Sequence, residues 1–350
     1  MLLALHEIWP RAPLYTAVYD AKRAPWAKVF DVRPSFLQHF PLAKTHHEFY
    51  PWLTQMAFES FSFDGYDVVI SVTSAEAKAI ITKPKTLHVC YCLTPTRYLW
   101  SGYDTYQETA TGLVKAVHKQ LAPLLRRWDL VAASRPDYYL AISKRVKDRI
   151  EKYYKRKVEK VIYPPVNTKG QAFEARQGLA LNDLNDYFLV VSRLVGYKRI
   201  DVIIRAFNEL KLPLVIIGNG ALLGTLRSLG GSTIRFVTDH LTDAQLSTYY
   251  EGCRSFITMA DEDFGITTVE ALAAGRPVIG LMSSGTAEIV RRGETGVLVG
   301  TQNYRELMDA VKTVSSTIFD PDVCRESVKK FDTQLFKDTM KKEIERLTTL

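Results

Sequence analysis

The chain has 350 residues, 47% of them apolar, and a formal net charge of +8, which is the composition of a soluble globular protein with more than one domain. No run of about 18 apolar residues occurs, so no membrane-spanning helix is implied. The start, Met1-Leu2-Leu3-Ala4-Leu5-His6-Glu7, lacks the basic region and long apolar core of a signal peptide.

Charge is uneven. Residues 1–163 hold 24 Lys and Arg against 15 Asp and Glu, a net of +9; the remainder holds 22 against 23, a net of −1. A basic cluster runs from Lys144-Arg145-Val146-Lys147-Asp148-Arg149 through Lys155-Arg156-Lys157. Such a face suits anionic lipid, nucleic acid or polyanionic glycan, or is a solvated helix surface. No nucleic-acid motif accompanies it. The four cysteines, Cys90, Cys92, Cys253 and Cys324, form no disulfide framework and suit a reducing cytoplasm. Cys90 and Cys92 alternate in an apolar run and read as strand neighbours facing opposite ways rather than as a metal pair.

In chain order, short apolar strands alternate with helical stretches, which predicts α/β architecture with parallel sheets. The first half shows strands near 14–19, 68–71, 86–92 and 139–142. Val161-Ile162-Tyr163-Pro164-Pro165-Val166-Asn167 reads as a strand ending in a rigid turn, a natural linker. The second half restarts with a strand at 187–192, then a helix at 200–209 and strands at 213–217 and 233–237. A helix at 242–250 and a strand at 255–259 follow. A helix begins after Gly265, with strands at 277–280 and 297–299 and helices at 304–315 and 333–347 beyond it.

The residues of greatest chemical interest lie after the 255–259 strand. Glu262 and Glu270 stand eight positions apart, with Phe264-Gly265 between them. Gly265 argues against one continuous helix. Glu262 then sits on a loop, the helix starts near Ile266, and Glu270 lies one turn inside it. Carboxylates accept from sugar hydroxyls, and the free N–H groups of a helix start favour phosphate. Arg193 and Lys198 follow the strand at 187–192, at a carboxyl end where parallel α/β sheets bind ligands. Two cations on one such loop can neutralise a diphosphate. Gly218-Asn219-Gly220 follows the next strand, but no full Gly-x-Gly-x-x-Gly fingerprint appears, which argues against a nicotinamide enzyme.

The stretch 262–280, EDFGITTVEALAAGRPVIG, resembles the signature of the retaining glycosyltransferases of family 4, a Glu-x7-Glu element in a phrase of this kind. The resemblance covers most of the chain. It implies the GT-B architecture, two Rossmann-like domains facing across a cleft. Residues 1–165 would form the acceptor domain and 166–330 the nucleotide-sugar domain. Residues 331–350 would be a helix crossing back to the first. By the same resemblance Arg193 and Lys198 stabilise the leaving diphosphate, and Glu262 lies near the transferred sugar. Glu270 would bind the ribose hydroxyls. Phe264, Gly265, Ile266 and Thr267 line the donor site through backbone groups, with Gly218 and Gly220 as a turn on the nucleotide side. No Asp-x-Asp metal motif is evident, and the family implies neither cofactor nor bound metal.

The phrase His88-Val89-Cys90-Tyr91-Cys92-Leu93-Thr94-Pro95-Thr96-Arg97-Tyr98-Leu99-Trp100 resembles that of bacterial family 4 mannosyltransferases of surface-polysaccharide and O-antigen assembly. Thr94, Arg97 and Trp100 are acceptor-side candidates. Members often carry His where Leu93 stands. His88 is expected to precede the strand and to take no catalytic part. The family also begins with a strand and a Gly-rich turn before a helix like the one at 2–10, so by the resemblance this chain starts inside that helix and lacks the first strand and its Gly loop, through a start assigned too late, the favoured reading, or in an impaired protein.

The resemblance and these features together imply a cytoplasmic retaining hexosyltransferase, with the inner face of the cell membrane as its alternative place. Its donor would be a nucleotide diphosphate sugar, with GDP-mannose favoured. Its acceptor would be a glycan or lipid-linked oligosaccharide, with peripheral contact of the basic first domain with anionic membrane and no nucleic-acid partner. The alternatives are a GT-B nucleotide-sugar epimerase and a catalytically silent nucleotide-sugar or glycan-binding subunit.

Overall fold

The computed structural model describes residues 1–46, 50–109, 112–168 and 186–349. The chain divides into two compact units: Met1–Tyr163 with Phe336–Leu350, and Pro164–Leu335.

The first unit contains, in order, α1 (Leu2–Ile8), β1 (Leu14–Thr16), β2 (Val32–Pro34), α2 (Ala43–His46), α3 (Pro51–Glu59), β3 (Val68–Thr73), β4 (Leu87–Cys92), α4 (Tyr103–Thr109), α5 (Gly112–Ser134), β5 (Tyr138–Ala141), α6 (Lys144–Tyr154) and β6 (Val158–Val161). A four-stranded sheet of order β3-β4-β5-β6 is parallel throughout, and β1 and β2 form a separate parallel pair. Every residue of β4 after Leu87 is buried, as expected for a parallel strand covered on both faces. The strand expected at 14–19 stops at Thr16, whose hydroxyl turns back to the Val18 carbonyl.

Two local expectations are corrected. Cys90 and Cys92 share one face of β4, because the pleat repeats every second residue, and their thiols interact. Both are buried and free. His88 lies within β4 rather than before it. Its Nε2 is 2.8 Å from Ser71 Oγ, and burial pushes the imidazole down to about 3.

Part of the basic cluster is structural. Ser143 caps α6 by accepting from the Val146 N–H, while Val146, Ile150 and Tyr154 bury one face of the helix. Arg156 donates to the carbonyls of Ser134, Pro136 and Asp137, tying down the turn after α5.

The second unit runs β7 (Phe188–Val191), α7 (Ile200–Leu210), β8 (Leu214–Ile217), α8 (Leu223–Leu229), β9 (Ile234–Val237), α9 (Asp243–Gly252), β10 (Ser255–Ile257), α10 (Ile266–Ala273), β11 (Val278–Leu281), β12 (Gly296–Val299), α11 (Tyr304–Ser316) and α12 (Pro321–Val328). Its six strands are parallel in the order β12-β11-β10-β7-β8-β9. On α7, Ile200, Ile203, Ile204 and Phe207 repeat at helical spacing and bury one stripe against the sheet, with Leu307 and Val311 of α11 in the same core. A capping box of Thr242 and Gln245 starts α9.

The last helix, α13 (Thr333–Thr348), belongs to the first unit from Phe336 onward. There the Phe336 ring packs near Tyr91, Lys337 pairs with Glu7 at 2.8 Å, and Lys160 pairs with Glu343 at 3.3 Å. Among the described residues no helix is long and apolar enough to cross a membrane.

Candidate active site

The order of strands in the second unit sets the site. From β7 the chain moves outward through β8 to β9; it then returns to β10 on the other side of β7 and moves outward again through β11 to β12. The direction therefore reverses between β7 and β10, which pair through Ser255 with Phe188 and Phe256 with Leu189. At such a reversal the loops leaving the two strand ends diverge and open a crevice at the carboxyl edge, where ligands of open α/β sheets bind. Arg193 and Lys198 lie on the loop after β7. Glu262, Phe264 and Gly265 lie on the loop after β10.

Those two loops touch. Lys198 Nζ donates to Glu262 Oε1 at 2.5 Å, with both side chains largely shielded, at 14% and 18% exposure. Arg193 is exposed and donates to the Tyr197 hydroxyl at 3.0 Å. Arg199, next to Lys198, takes a left-handed φ of 51° where the loop enters α7, a conformation that costs a residue bearing a Cβ.

The glycines of the β8 loop are there for close approach. A Cβ on Gly218, whose φ is +143°, would overlap the Ser192 carbonyl oxygen, and one on Gly220 would lie 2.5 Å from that of Leu194. The loops after β7 and β8 are stitched here, with Leu194 N–H donating to Asn219 O at 2.9 Å and Leu222 N–H to Leu194 O at 3.0 Å. Gly218 and Gly220 thus hold the cationic loop in place.

Gly265 precedes α10 with φ +112°. A Cβ there would stand 3.2 Å from Thr268 Oγ1 and 3.4 Å from Thr286 Oγ1, and both hydroxyls are buried without a hydrogen-bond partner. Ile266 is exposed and Thr267 half-buried at the helix start, where N–H groups lack intrahelical partners. Glu270, one turn inside, accepts from the Tyr250 hydroxyl of α9 at 2.8 Å. Burial pushes its carboxyl up, and the Tyr250 hydrogen bond partly offsets this. Burial also drives the Tyr250 phenol far above its usual range.

The structure therefore brings Lys198 and Glu262 together and gives Glu270 a different partner. Tyr250 and Thr286 escaped the sequence reading. Tyr250 sits on a helix with no local marker, and only the position of Ser284-Gly285-Thr286 just past a strand end hinted at the second.

Thr94, Arg97 and Trp100 lie in the first unit, on the loop after β4. Thr94 is buried. Trp100 stacks on Tyr153 at 5.3 Å and donates from Nε1 to Asp129 Oδ2 at 2.6 Å. Asp129 in turn pairs with the fully buried Lys78 at 2.6 Å and accepts from Thr96 Oγ1 at 2.7 Å. The loop is thus clamped from below by a buried ion pair.

Residues 171–330, just under half of the chain, match the family Glycosyl transferases group 1. The chain as a whole has the α/β GT-B fold: it is similar to HepE of Anabaena in complex with UDP and glucose (TM-score 0.70, 17% identity, 98% of this chain and 94% of that one). It is also similar to sucrose-phosphate synthase of Thermosynechococcus elongatus (TM-score 0.68, 18% identity, 91% and 83%).

Curated relatives include the GDP-mannose-dependent alpha-(1-6)-phosphatidylinositol monomannoside mannosyltransferase of Mycobacterium tuberculosis, 33% identical over 140 residues and 35% of this chain. O-antigen chain mannosyltransferase C of Escherichia coli is 27% identical over 135 residues and 36% of this chain. D-inositol 3-phosphate glycosyltransferase of Rhodococcus jostii is 27% identical over 164 residues and 42% of it. In each case the alignment spans 36% of the relative's length.

Proposed function

We propose that the protein is a glycosyltransferase that moves a hexose from a nucleotide diphosphate sugar to a glycan or lipid-linked acceptor, with retention of anomeric configuration. The observation that carries this reading is the meeting of a cationic loop and an acidic loop at the strand-order reversal between β7 and β10. Retention rests on the resemblance of the 262–280 phrase to family 4. Mannose from GDP-mannose is the favoured donor, supported by the names of the mycobacterial and Escherichia coli relatives.

In this reading the diphosphate lies along Arg193, Lys198 and the start of α10. As the bond between the anomeric carbon and phosphate oxygen breaks, its electron pair passes to the diphosphate. The fixed cations stabilise that growing charge more than they stabilise bound substrate. The acceptor hydroxyl attacks the same face, and its proton goes to the departing phosphate oxygen. No side chain at position 93 is needed as base, which accommodates Leu93. Glu262 keeps Lys198 aimed and accepts from a hydroxyl of the transferred sugar. Glu270 accepts from the ribose hydroxyls, and Gly218 and Gly220 keep the nucleotide side open. Thr94, Arg97 and Trp100 contribute to the acceptor side.

The test is thermal unfolding with GDP, UDP and ADP at matched concentration, followed by transfer from the matching nucleotide sugars, with and without chelator. Selective stabilisation by one diphosphate, together with chelator-insensitive transfer, is the expected result. Stabilisation without transfer to any acceptor would favour the silent binding subunit. No stabilisation by any of the three would overturn the reading.

A further inference from the structure

A cavity of about 440 Å³ lies in the second unit, where the loop from β12 into α11 passes the start of α7. Arg199, Asp201 and Arg205 line it from the α7 side, and Thr301, Gln302 and Tyr304 from the other. The lining sets two guanidinium groups against one carboxylate, a net of +1. The nearby Glu306 is already engaged, accepting from the Gly300 and Thr301 N–H groups and from the Thr301 hydroxyl.

The two arginines are held differently. The Arg205 guanidinium carbon lies 3.8 Å from the centroid of the Tyr304 ring. Stacking occupies the face of a guanidinium and leaves its in-plane N–H groups for an acceptor, and among the described residues none accepts from Arg205. Arg199 stands at φ 51°, where glycine would relax the backbone, and its guanidinium spans Asp201 and Gln302 at 3.2 Å per contact. Keeping an arginine at a position of strain points to a use for its guanidinium. Gln302 extends the link, because its Nε2 donates to the Met259 carbonyl at 2.7 Å. Met259 stands three positions before Glu262, and Arg199 directly follows Lys198. One side chain of the lining therefore touches both loops that meet in the Lys198–Glu262 contact.

We propose that this cavity is a second anion site, which takes a small phosphate monoester bearing hydroxyl groups and reports its occupancy to the Lys198–Glu262 contact. Binding does not depend on the transferase reading above; the effect on the donor does. Phosphate oxygens match the planar N–H fork of Arg205 and, in place of Asp201, that of Arg199. The volume is that of a small-molecule pocket and exceeds a bare phosphate ion. Asp201, once released, and the Asn303 amide meet the hydroxyls. Drawing Arg199 away from Asp201 and Gln302 loosens the turn that aims Lys198, so occupancy weakens donor binding.

The experiment is thermal unfolding and calorimetry of the full chain with glycerol 3-phosphate, with glycerol as the uncharged control. Glycerol 3-phosphate alone should raise the melting temperature, both in the wild type and in Lys198→Met, which disarms the diphosphate loop. Arg205→Gln, at an exposed position, should melt like the wild type without ligand and bind glycerol 3-phosphate about tenfold more weakly. Arg199→Gly should lose the same binding at undiminished stability, since it relaxes the backbone. Saturating glycerol 3-phosphate should weaken the affinity for the stabilising nucleoside diphosphate about fivefold or more, and the nucleotide should weaken glycerol 3-phosphate by the same factor. No shift in the wild type, a shift kept by both arginine variants, or a shift lost only in Lys198→Met would each overturn the site. Independent affinities in the wild type would overturn the coupling. Binding that needs Arg205 in a chain that binds no nucleoside diphosphate would uphold the cavity and sink the transferase reading, and the coupling with it.

Discussion

Lys198 Nζ and Glu262 Oε1 meet at 2.5 Å although 64 residues separate them, because β7 and β10 pair at the point where the strand order reverses. The contact neutralises a cation and an anion that would otherwise be half-buried and alone, and it holds the lysine within the carboxyl-edge crevice.

Replacing Lys198 separates its two roles. If the proposed transfer holds, Lys198→Met should lower kcat by about a hundredfold or more, because the cation would then act on charge that develops as the diphosphate departs. Donor affinity, measured by calorimetry, should change far less. Equal losses in both would show that the lysine binds substrate and transition state alike.

Glu270 should govern nucleotide affinity. Glu270→Ala should weaken nucleoside diphosphate binding about tenfold or more by removing a buried charged acceptor. Tyr250→Phe should have a smaller effect in the same direction, by freeing the carboxylate that the phenol holds. Burial raises the Glu270 carboxyl, so its charged form is lost at higher pH than that of an ordinary carboxylate. Donor affinity should therefore begin to fall, on acidification, above the usual carboxylate range, and Glu270→Gln should abolish that limb of the titration. An unchanged pH profile would remove Glu270 from the ribose.

His88 should make the first unit acid-labile. Its folded-state value is about 3 against an ordinary 6.5. Between these the unfolded chain binds a proton that the native chain refuses, so stability present above 6.5 is lost as pH falls toward 3. The total amounts to a few kcal/mol, on the order of 1.4 kcal/mol per pH unit. His88→Asn should give a shallower decline of melting temperature across that window.

Gly218→Ala tests the stitched loops. The added Cβ meets the Ser192 carbonyl on a backbone at φ +143°, so about 2–4 kcal/mol of stability should be lost, read as a clear fall in melting temperature. Gly293→Ala, where φ is +81° but nothing lies within 4 Å of a Cβ, should cost only the backbone strain. Equal losses would mean that crowding at Gly218 is relieved elsewhere.

Much of this was legible in the sequence because it is local. An apolar run of four to six residues, a glycine that breaks a helix, and a carboxylate one turn inside the next helix are all set by neighbours a few positions away. The α/β class, the loop position of Glu262, and the Arg193 and Lys198 segment after a strand could therefore be read directly. Even locally the pleat was misjudged at Cys90 and Cys92, where a period of two puts both thiols on one face.

What only the tertiary structure decided is non-local. Parallel strands carry no mark of which strand lies beside them, so the pairing of β7 with β10, and with it the Lys198–Glu262 contact, appears only once the sheet is assembled. The same holds for Tyr250 beneath Glu270, for Thr286 beside Gly265 and for the buried Lys78–Asp129 pair.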